Sequence, residues 1–366
     1  MRTVNWGIIG CGDVADKKSG PAFSSVRNSQ LIAVMRRDPA RAEEFACRHN
    51  VAHSYSTTED LLNNNSINAI YVASPPSSHK EHAIQALRKG FNVYLEKPVG
   101  LNAMEAKDIY AELLSSGAKL CVAHYRRYLP LFTHVKYLLM TSHIGEVRSC
   151  HVKLWQSIPK TTAADNWRLD PSVSGGGLFH DLAPHQLDIM LYLFGKPVWY
   201  RGMGLSQASG SDVTGECYPA DHVCGMALFP EQLVFNGSWC FCVDESNVTD
   251  ECIILGSRGS IQFSFFGPSC TLVVRSRGPA SSSNATTCSC EDADDLGTLE
   301  VTSQIFEHPT VIQTPMIESV VEYFLQETYS RGNGTPTVEG EGLHNPCSLE
   351  DAIVVMEMMD AFSTPI

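Results

Sequence analysis

"VNWGIIGCGDVA", residues 4–15, decides the fold. An apolar run from Val4 to Ile9 stops at Gly10, and Gly10-Cys11-Gly12-Asp13-Val14-Ala15 follows at once. That order reads as strand, tight turn, helix. Gly10 permits the turn, Gly12 lets the backbone approach a diphosphate, and Ala15 lets the helix lie close on the strand. The N–H groups at the helix start then face the phosphates. A G-x-G-x-x-A pattern alone is a weak signal. Behind a strand, and opening a helix, it stands in the context a dinucleotide site requires.

Outward from this stretch the alternation continues. Strands are predicted at 30–35, 67–74, 91–98 and 119–125, and helices at 38–50, 78–90 and 102–117. Asp38 caps the first of these helices with Pro39 at its first position, and Gly90 and Gly117 stop the others. Strand and helix in turn at this spacing specify a parallel sheet. From residue 146 the pattern changes. Strand-like runs follow at 146–155, 222–229, 231–242, 250–256, 259–266 and 270–275, with turns at Phe229-Pro230 and Gly256–Gly259. This predicts a second domain on an antiparallel sheet. Helices are expected at 314–330 and 348–361, a flexible polar loop at 277–297, and an irregular connection at 332–346. The fold class is therefore α/β. A Rossmann domain over 1–124 precedes an α+β domain over 125–366 with a largely antiparallel open sheet.

Composition sets the limits. The 366 residues exceed one ordinary core. A net charge of -13 argues against nucleic acid or an anionic membrane as partner. No apolar run approaches the roughly 18 residues of a membrane-spanning helix. The chain start runs straight into a strand and leaves no room for a signal peptide. The 13 cysteines are scattered and odd in number, so free thiols and a cytoplasmic location are expected. Neither Cys240-Phe241-Cys242 nor Cys288-Ser289-Cys290 has zinc-knuckle spacing. His79 and His82 can share a helix face but find no third ligand, so no metal is expected.

The end of the second strand bears on the cofactor. An acidic residue there would bond the ribose hydroxyls of NAD. This chain has Met35-Arg36-Arg37, and arginine can pair with a 2′-phosphate. NADP(H) is thus favoured over NAD(H). The other reading of both arginines, a solvated strand end beside Asp38, stays open.

"EKPVG" (96–100), taken in order with "GIIGCGDVA", "SPPSSHKEHA", "WRLDPSVSGGG" and "DLAPHQLD", resembles the Gfo/Idh/MocA family of glucose-fructose oxidoreductases, inositol dehydrogenases and relatives. The resemblance runs from residue 4 to about 265 and is weaker beyond. It implies an N-terminal Rossmann domain and a C-terminal domain whose open sheet joins a homodimer or homotetramer. It also implies reversible hydride transfer between NAD(P) and a small-molecule sugar, polyol or related carbonyl. By position it places the catalytic lysine on Lys97, the aspartate on Asp181 and the histidine on His185.

The chemistry fits those residue types. Oxidising a secondary alcohol removes a hydride and a proton. Histidine exchanges protons near neutral pH, and a lysine cation stabilises the developing oxygen charge. A carboxylate can orient the histidine or bond the substrate. Lys97 precedes Pro98, which keeps it out of the helical region at the carboxyl end of a parallel strand, where ligands of such sheets bind. Asp181 and His185 share a face if both are helical. Pro184 is tolerated within a helix's first turn, so Asp181 is expected at or near the N-cap. From spacing alone Asp181 reads as a cap and His185 as a core histidine. Lys97 and the nucleotide fingerprint in the same chain move both to function.

Around them, Gly10, Cys11, Gly12, Asp13, Val14, Arg36, Arg37, Ser74, Pro75, His79, Glu96 and Lys97 form the expected cofactor set. Tyr125, Trp167 and Arg168 join Asp181 and His185 as substrate contacts. Trp167 could cover the nicotinamide, and Arg168 could bond sugar hydroxyls or a phosphate. A hinge (Tyr125), a stacked aromatic (Trp167) and a surface arginine (Arg168) are the structural readings beside these. His180 reads equally as a site neighbour or a polar group facing water, and Asp188 as a supporting carboxylate or a helix-face charge. Two other functions remain on the same fold: a catalytically silent nucleotide-sensing regulator, and a redox-neutral glycosidase with tightly held NAD. Intact Lys97, Asp181 and His185 favour the oxidoreductase.

Overall fold

The first sheet is built from β1 (Val4–Ile9), β2 (Ser29–Met35), β3 (His53–Tyr55), β4 (Ala69–Val72), β5 (Asn92–Leu95) and β6 (Leu120–Val122), all parallel, in the order β3-β2-β1-β4-β5-β6. The computed structural model describes residues 2–161, 166–207, 219–275, 298–326 and 344–365. The loop expected at 277–297, most of the connection at 332–346 and the end of the helix expected to reach 330 lie outside those residues. Crossovers run through α1 (Gly20–Ser25), α2 (Pro39–His49), α3 (Thr58–Leu62), α4 (His79–Arg88) and α5 (Ala103–Ser116). Their ends follow the local chemistry. The Asp38 side chain accepts from the N–H groups of Ala40 and Arg41 at the start of α2, and Asn102 accepts from Glu105 at the start of α5. β3 and α3 were not anticipated, because three to five residues carry no readable period.

β1 is the core of this sheet. Trp6 is fully buried, with Phe23 at 4.7 Å, Phe324 at 5.6 Å and Tyr94 at 6.4 Å between ring centres. Burying an aromatic of this size contributes about 1.5–3 kcal/mol. The helix after the glycine turn starts with a π-helical turn, Ala15–Ser19, before α1.

The second part comprises α6 (Pro130–Met140), β7 (Val147–Ser157), α7 (Pro171–Ser174), α8 (Gly177–Phe194), β8 (Trp199–Leu205), β9 (His222–Leu228), β10 (Val234–Val243), β11 (Thr249–Gly256), β12 (Gly259–Phe263), β13 (Ser269–Arg275) and β14 (Leu299–Ile305). Its strands form one sheet, β14-β13-β12-β11-β7-β10-β9-β8, antiparallel except for the β7–β10 pair. The period of two sorts its faces. Cys150, Val152 and Leu154 of β7 are buried, and Met190 of α8 lies against Cys150. On the opposite face Met203, Met226 and Leu255 stay exposed. β8 and β14 were not read from the sequence.

The last helices, α9 (Thr314–Leu325) and α10 (Leu349–Phe362), return to the first sheet. Phe324 packs on Trp6. The Cys347 carbonyl accepts from Val122 N–H (3.0 Å) at the end of β6. Asp360 accepts from Ala103 N–H (2.9 Å) at the start of α5. The region after residue 125 therefore shares its final helices with the Rossmann sheet.

Candidate active site

Three segments converge on one carboxylate. Lys97 follows β5, and its Nζ donates to Asp181 Oδ1 (2.9 Å) and to the Asp181 carbonyl (2.7 Å). Arg168, in the short turn Trp167–Leu169, donates from Nε to Asp181 Oδ2 (3.1 Å), with its guanidinium 4.5 Å from the Trp167 ring centre. Burial opposes ionisation of Asp181. The cations Lys97 and Arg168 outweigh it and hold the carboxyl below its ordinary range.

His185 lies one turn further along α8 and is buried, edge-on to Tyr125 (5.6 Å) and Phe266 (6.0 Å). Burial pushes its pKa well below the ordinary value, and Lys97, Arg126 and His124 add to the effect. The ring is therefore neutral at neutral pH. Its Nδ1 has no hydrogen-bond partner among the described residues. Asp181 thus orients Lys97 rather than the histidine.

The start of α8 differs from expectation. Gly176 is the N-cap, and Ser174 Oγ accepts from Gly177 N–H (2.9 Å) to satisfy the helix start. Asp181 accordingly sits in the second turn, not at the cap, and Pro184 lies inside the helix. Proline interrupts the hydrogen-bond ladder of this turn. The Lys97 ammonium sits on the Asp181 carbonyl in the same turn. His180 does not face water: it is buried beside Gly176, and burial pushes its pKa down to about 4. Asp188 is fully inside, held by both Nε (3.0 Å) and Nη2 (2.7 Å) of Arg127, whose Nη1 also reaches Asp351 (3.1 Å). That pair joins α8 to α10.

The glycine turn packs on the loop after β4, which His79 ties to the loop that carries Lys97. Gly10 has φ +91, and a Cβ there would lie 2.6 Å from Ser74 N. A Cβ on Gly12 would meet nothing within 4 Å, so the space before the helix start is open. Asp13 is exposed and Val14 half-buried there, while Cys11 points inward. Arg36 folds back so that Nη1 donates to the Cys11 carbonyl (3.2 Å), and Arg37 is exposed. Ser74 Oγ contacts His82 Nδ1 (3.1 Å), next to half-buried Pro75.

Two members of the expected cofactor set face inward. His79 spans the Pro98 carbonyl (2.8 Å) and the Ser74 carbonyl (2.6 Å), tying together the loops after β5 and β4. Burial lowers its pKa and prevails over the two carbonyls, which favour the cation, leaving it at about 4. Glu96 accepts from Tyr71 OH (2.6 Å), Gln313 Nε2 (2.8 Å) and Lys97 N–H (3.2 Å). Gln313 and Tyr71 carried no signal in the sequence, since each looks like any polar or strand residue until the chain is folded. Among the described residues no group of three or more His, Cys, Asp or Glu side chains gathers as a metal site, and no helix is long and apolar enough to cross a membrane.

Comparison with known proteins agrees with this fold. Residues 4–124 match the model of the GFO_IDH_MocA oxidoreductase family with an NAD-binding Rossmann fold, and residues 132–262 match the GFO/IDH/MocA C-terminal domain. Oxidoreductase P35 of Formosa agariphila is 40% identical over 366 residues, 98% of each chain. A scyllo-inositol 2-dehydrogenase (NADP(+)) of Bacillus subtilis is 30% identical over 216 residues, 58% of this chain and 65% of its own. The solved structure of levoglucosan dehydrogenase in complex with NADH and levoglucosan shares the fold, with a TM-score of 0.75 at 19% identity over 99% of this chain and 96% of that one. With both domains matched and a full-length relative at this identity, the chain belongs to the Gfo/Idh/MocA family of NAD(P)-binding oxidoreductases.

Proposed function

We propose that the chain transfers a hydride between NADP(H) and a secondary alcohol or carbonyl of a sugar or polyol. The observation that carries this reading is the Lys97–Asp181 pair at the carboxyl end of β5, one helical turn from a neutral His185. Dehydrogenase relatives acting on inositol and levoglucosan support the substrate class. The open space over Gly12, the helix start behind it and Arg36 against the turn fit a dinucleotide. When bound, its nicotinamide accepts or returns the hydride.

The protein's own groups do the rest. Neutral His185 accepts the hydroxyl proton in oxidation and returns it in reduction. Lys97, aimed by both oxygens of Asp181 that it meets, stabilises charge on the reacting oxygen. Tyr125 walls the histidine, and Arg168 lies over the Trp167 ring. The preference for NADP(H) rests on Arg36 and Arg37. Titration with NADPH and NADH, followed by the nicotinamide absorbance across sugars and polyols, tests both parts. Tight nucleotide binding with no turnover on a broad panel would count for the silent regulator.

The exposed face of the second sheet, with Met203, Met226 and Leu255, supports a homodimer or homotetramer. Light scattering that shows only monomer at micromolar concentration would reject it. The free cysteines among the described residues support a cytoplasmic location, which cell fractionation tests.

A further inference from the structure

The charges around the cleft narrow the substrate class that the proposed function leaves open. The chain as a whole carries -13. Cations nevertheless gather around Asp181 and His185. Lys97 and Arg168 share the one Asp181 carboxylate, an oxygen each. Lys18, exposed on the helix behind the glycine turn, has its carbonyl held by Gln313 N–H (3.3 Å) and acts electrostatically on both Asp181 and His185. It forms no ion pair among the described residues. Arg126 also acts on His185, but Asp250 offsets it. Asp188 is taken by Arg127. Lys97 and Arg168 are then balanced by Asp181 and the buried Glu96, and exposed Lys18 adds a weaker positive field from the solvent side.

Arg168 supplies the geometric observation. Its Nε is committed to Asp181, its guanidinium lies over the Trp167 ring, and its side chain is 34% exposed. Among the described residues its terminal nitrogens have no hydrogen-bond partner. A guanidinium fork held in this way matches the spacing of carboxylate or phosphate oxygens.

We infer that the substrate carries an anionic group, a carboxylate or a phosphate monoester, bound by the terminal nitrogens of Arg168 in the field of Lys18. The inference rests on the oxidoreductase reading and deepens it. The probes are D-glucose, D-glucuronate and D-glucose 6-phosphate, which share a ring and differ at one end. Each is titrated into the full-length protein saturated with NADP+, reading tryptophan fluorescence for binding and nicotinamide absorbance for turnover.

One of the two anions should bind about tenfold or more tighter than glucose, the size expected of a charge-assisted pair. The advantage should shrink as salt is raised, and again in Arg168→Gln and Lys18→Gln, whose melting temperatures report that both remain folded. The anion that prevails assigns carboxylate or phosphate. Equal or weaker binding of both anions, no binding of any probe at millimolar concentration, or an advantage that survives both substitutions overturns the inference. Failure of the oxidoreductase reading would look different: nucleotide would bind without any change in nicotinamide absorbance across the wider sugar and polyol panel, whichever anion binds.

Discussion

Alanine at Gly12 and at Gly10 should separate a nucleotide seat from a folding requirement. Gly10 sits at φ +91, where an L-residue costs about 1–2 kcal/mol, and its Cβ would press on Ser74 N at 2.6 Å. Overpacking of that kind adds about 1–3 kcal/mol. Gly10→Ala should therefore lose about 2–5 kcal/mol of stability, the sum of those two costs. Gly12 has neither problem: its backbone is outside the left-handed region and its Cβ would meet nothing within 4 Å. Gly12→Ala should keep the wild-type stability, or gain about 0.4–1 kcal/mol through the unfolded chain. The same methyl fills the space through which a diphosphate reaches the backbone. NADPH affinity should fall about tenfold or more, about 1.4 kcal/mol. Urea unfolding gives the first quantity and fluorescence titration with NADPH the second. A Gly12→Ala protein that binds NADPH as well as wild type would refute the reading of the turn. One that is destabilised would refute the open space.

Lys97→Ala removes both contacts to Asp181 and the charge at the reacting oxygen. Turnover should fall about a hundredfold or more while NADPH affinity changes far less, and unchanged turnover would remove Lys97 from the mechanism. Arg36→Asp should weaken NADPH more than NADH in paired titrations, and equal effects would end the 2′-phosphate argument. Acid should destabilise the protein through His79 and His180, whose pKa values burial lowers from 6.5 to about 4. The unfolded chain binds more protons in that window. Stability is therefore fully present above pH 6.5 and is lost as pH falls to about 4, by up to about 3 kcal/mol for each ring. Urea unfolding at pH 7 and at pH 5 checks this, and equal stability at the two would show that the rings are not buried neutral. If His185 is the proton acceptor, the acid limb of the pH–rate profile for alcohol oxidation should lie below the ordinary histidine value. A limb at that value would assign the proton elsewhere.

What could be read in advance was local. Val4 to Ala15, the capped starts of α2 and α5, and the glycine at the end of α5 carry their instructions within a few residues. The start of α8 misled because its cap is Gly176, completed by Ser174 from the preceding turn, so the usual polar signal falls on Asp181 instead. β14 escaped notice because all its residues are exposed, which leaves no buried face to impose a period. The three residues proposed for catalysis were visible as types, while their pairing was not. Nothing in the sequence says that Asp181 spends its charge on Lys97 and Arg168 and leaves His185 to its aromatic walls.

The return of α9 to the first sheet imposes an order of events during synthesis. Gln313 meets Glu96 across 217 residues of chain. At about 5–20 residues per second the ribosome needs about 10–40 s to bridge that gap. Throughout it Trp6 lacks Phe324, the Glu96 carboxylate lacks its amide, and the outer strand β6 lacks the segment that carries Cys347. A nascent first sheet with an uncovered flank and an unpaired edge invites association with other chains. Sheltering by chaperones should therefore matter most for polysomes that have not yet reached residue 313, and a fragment ended before that point should be recovered mainly as aggregate.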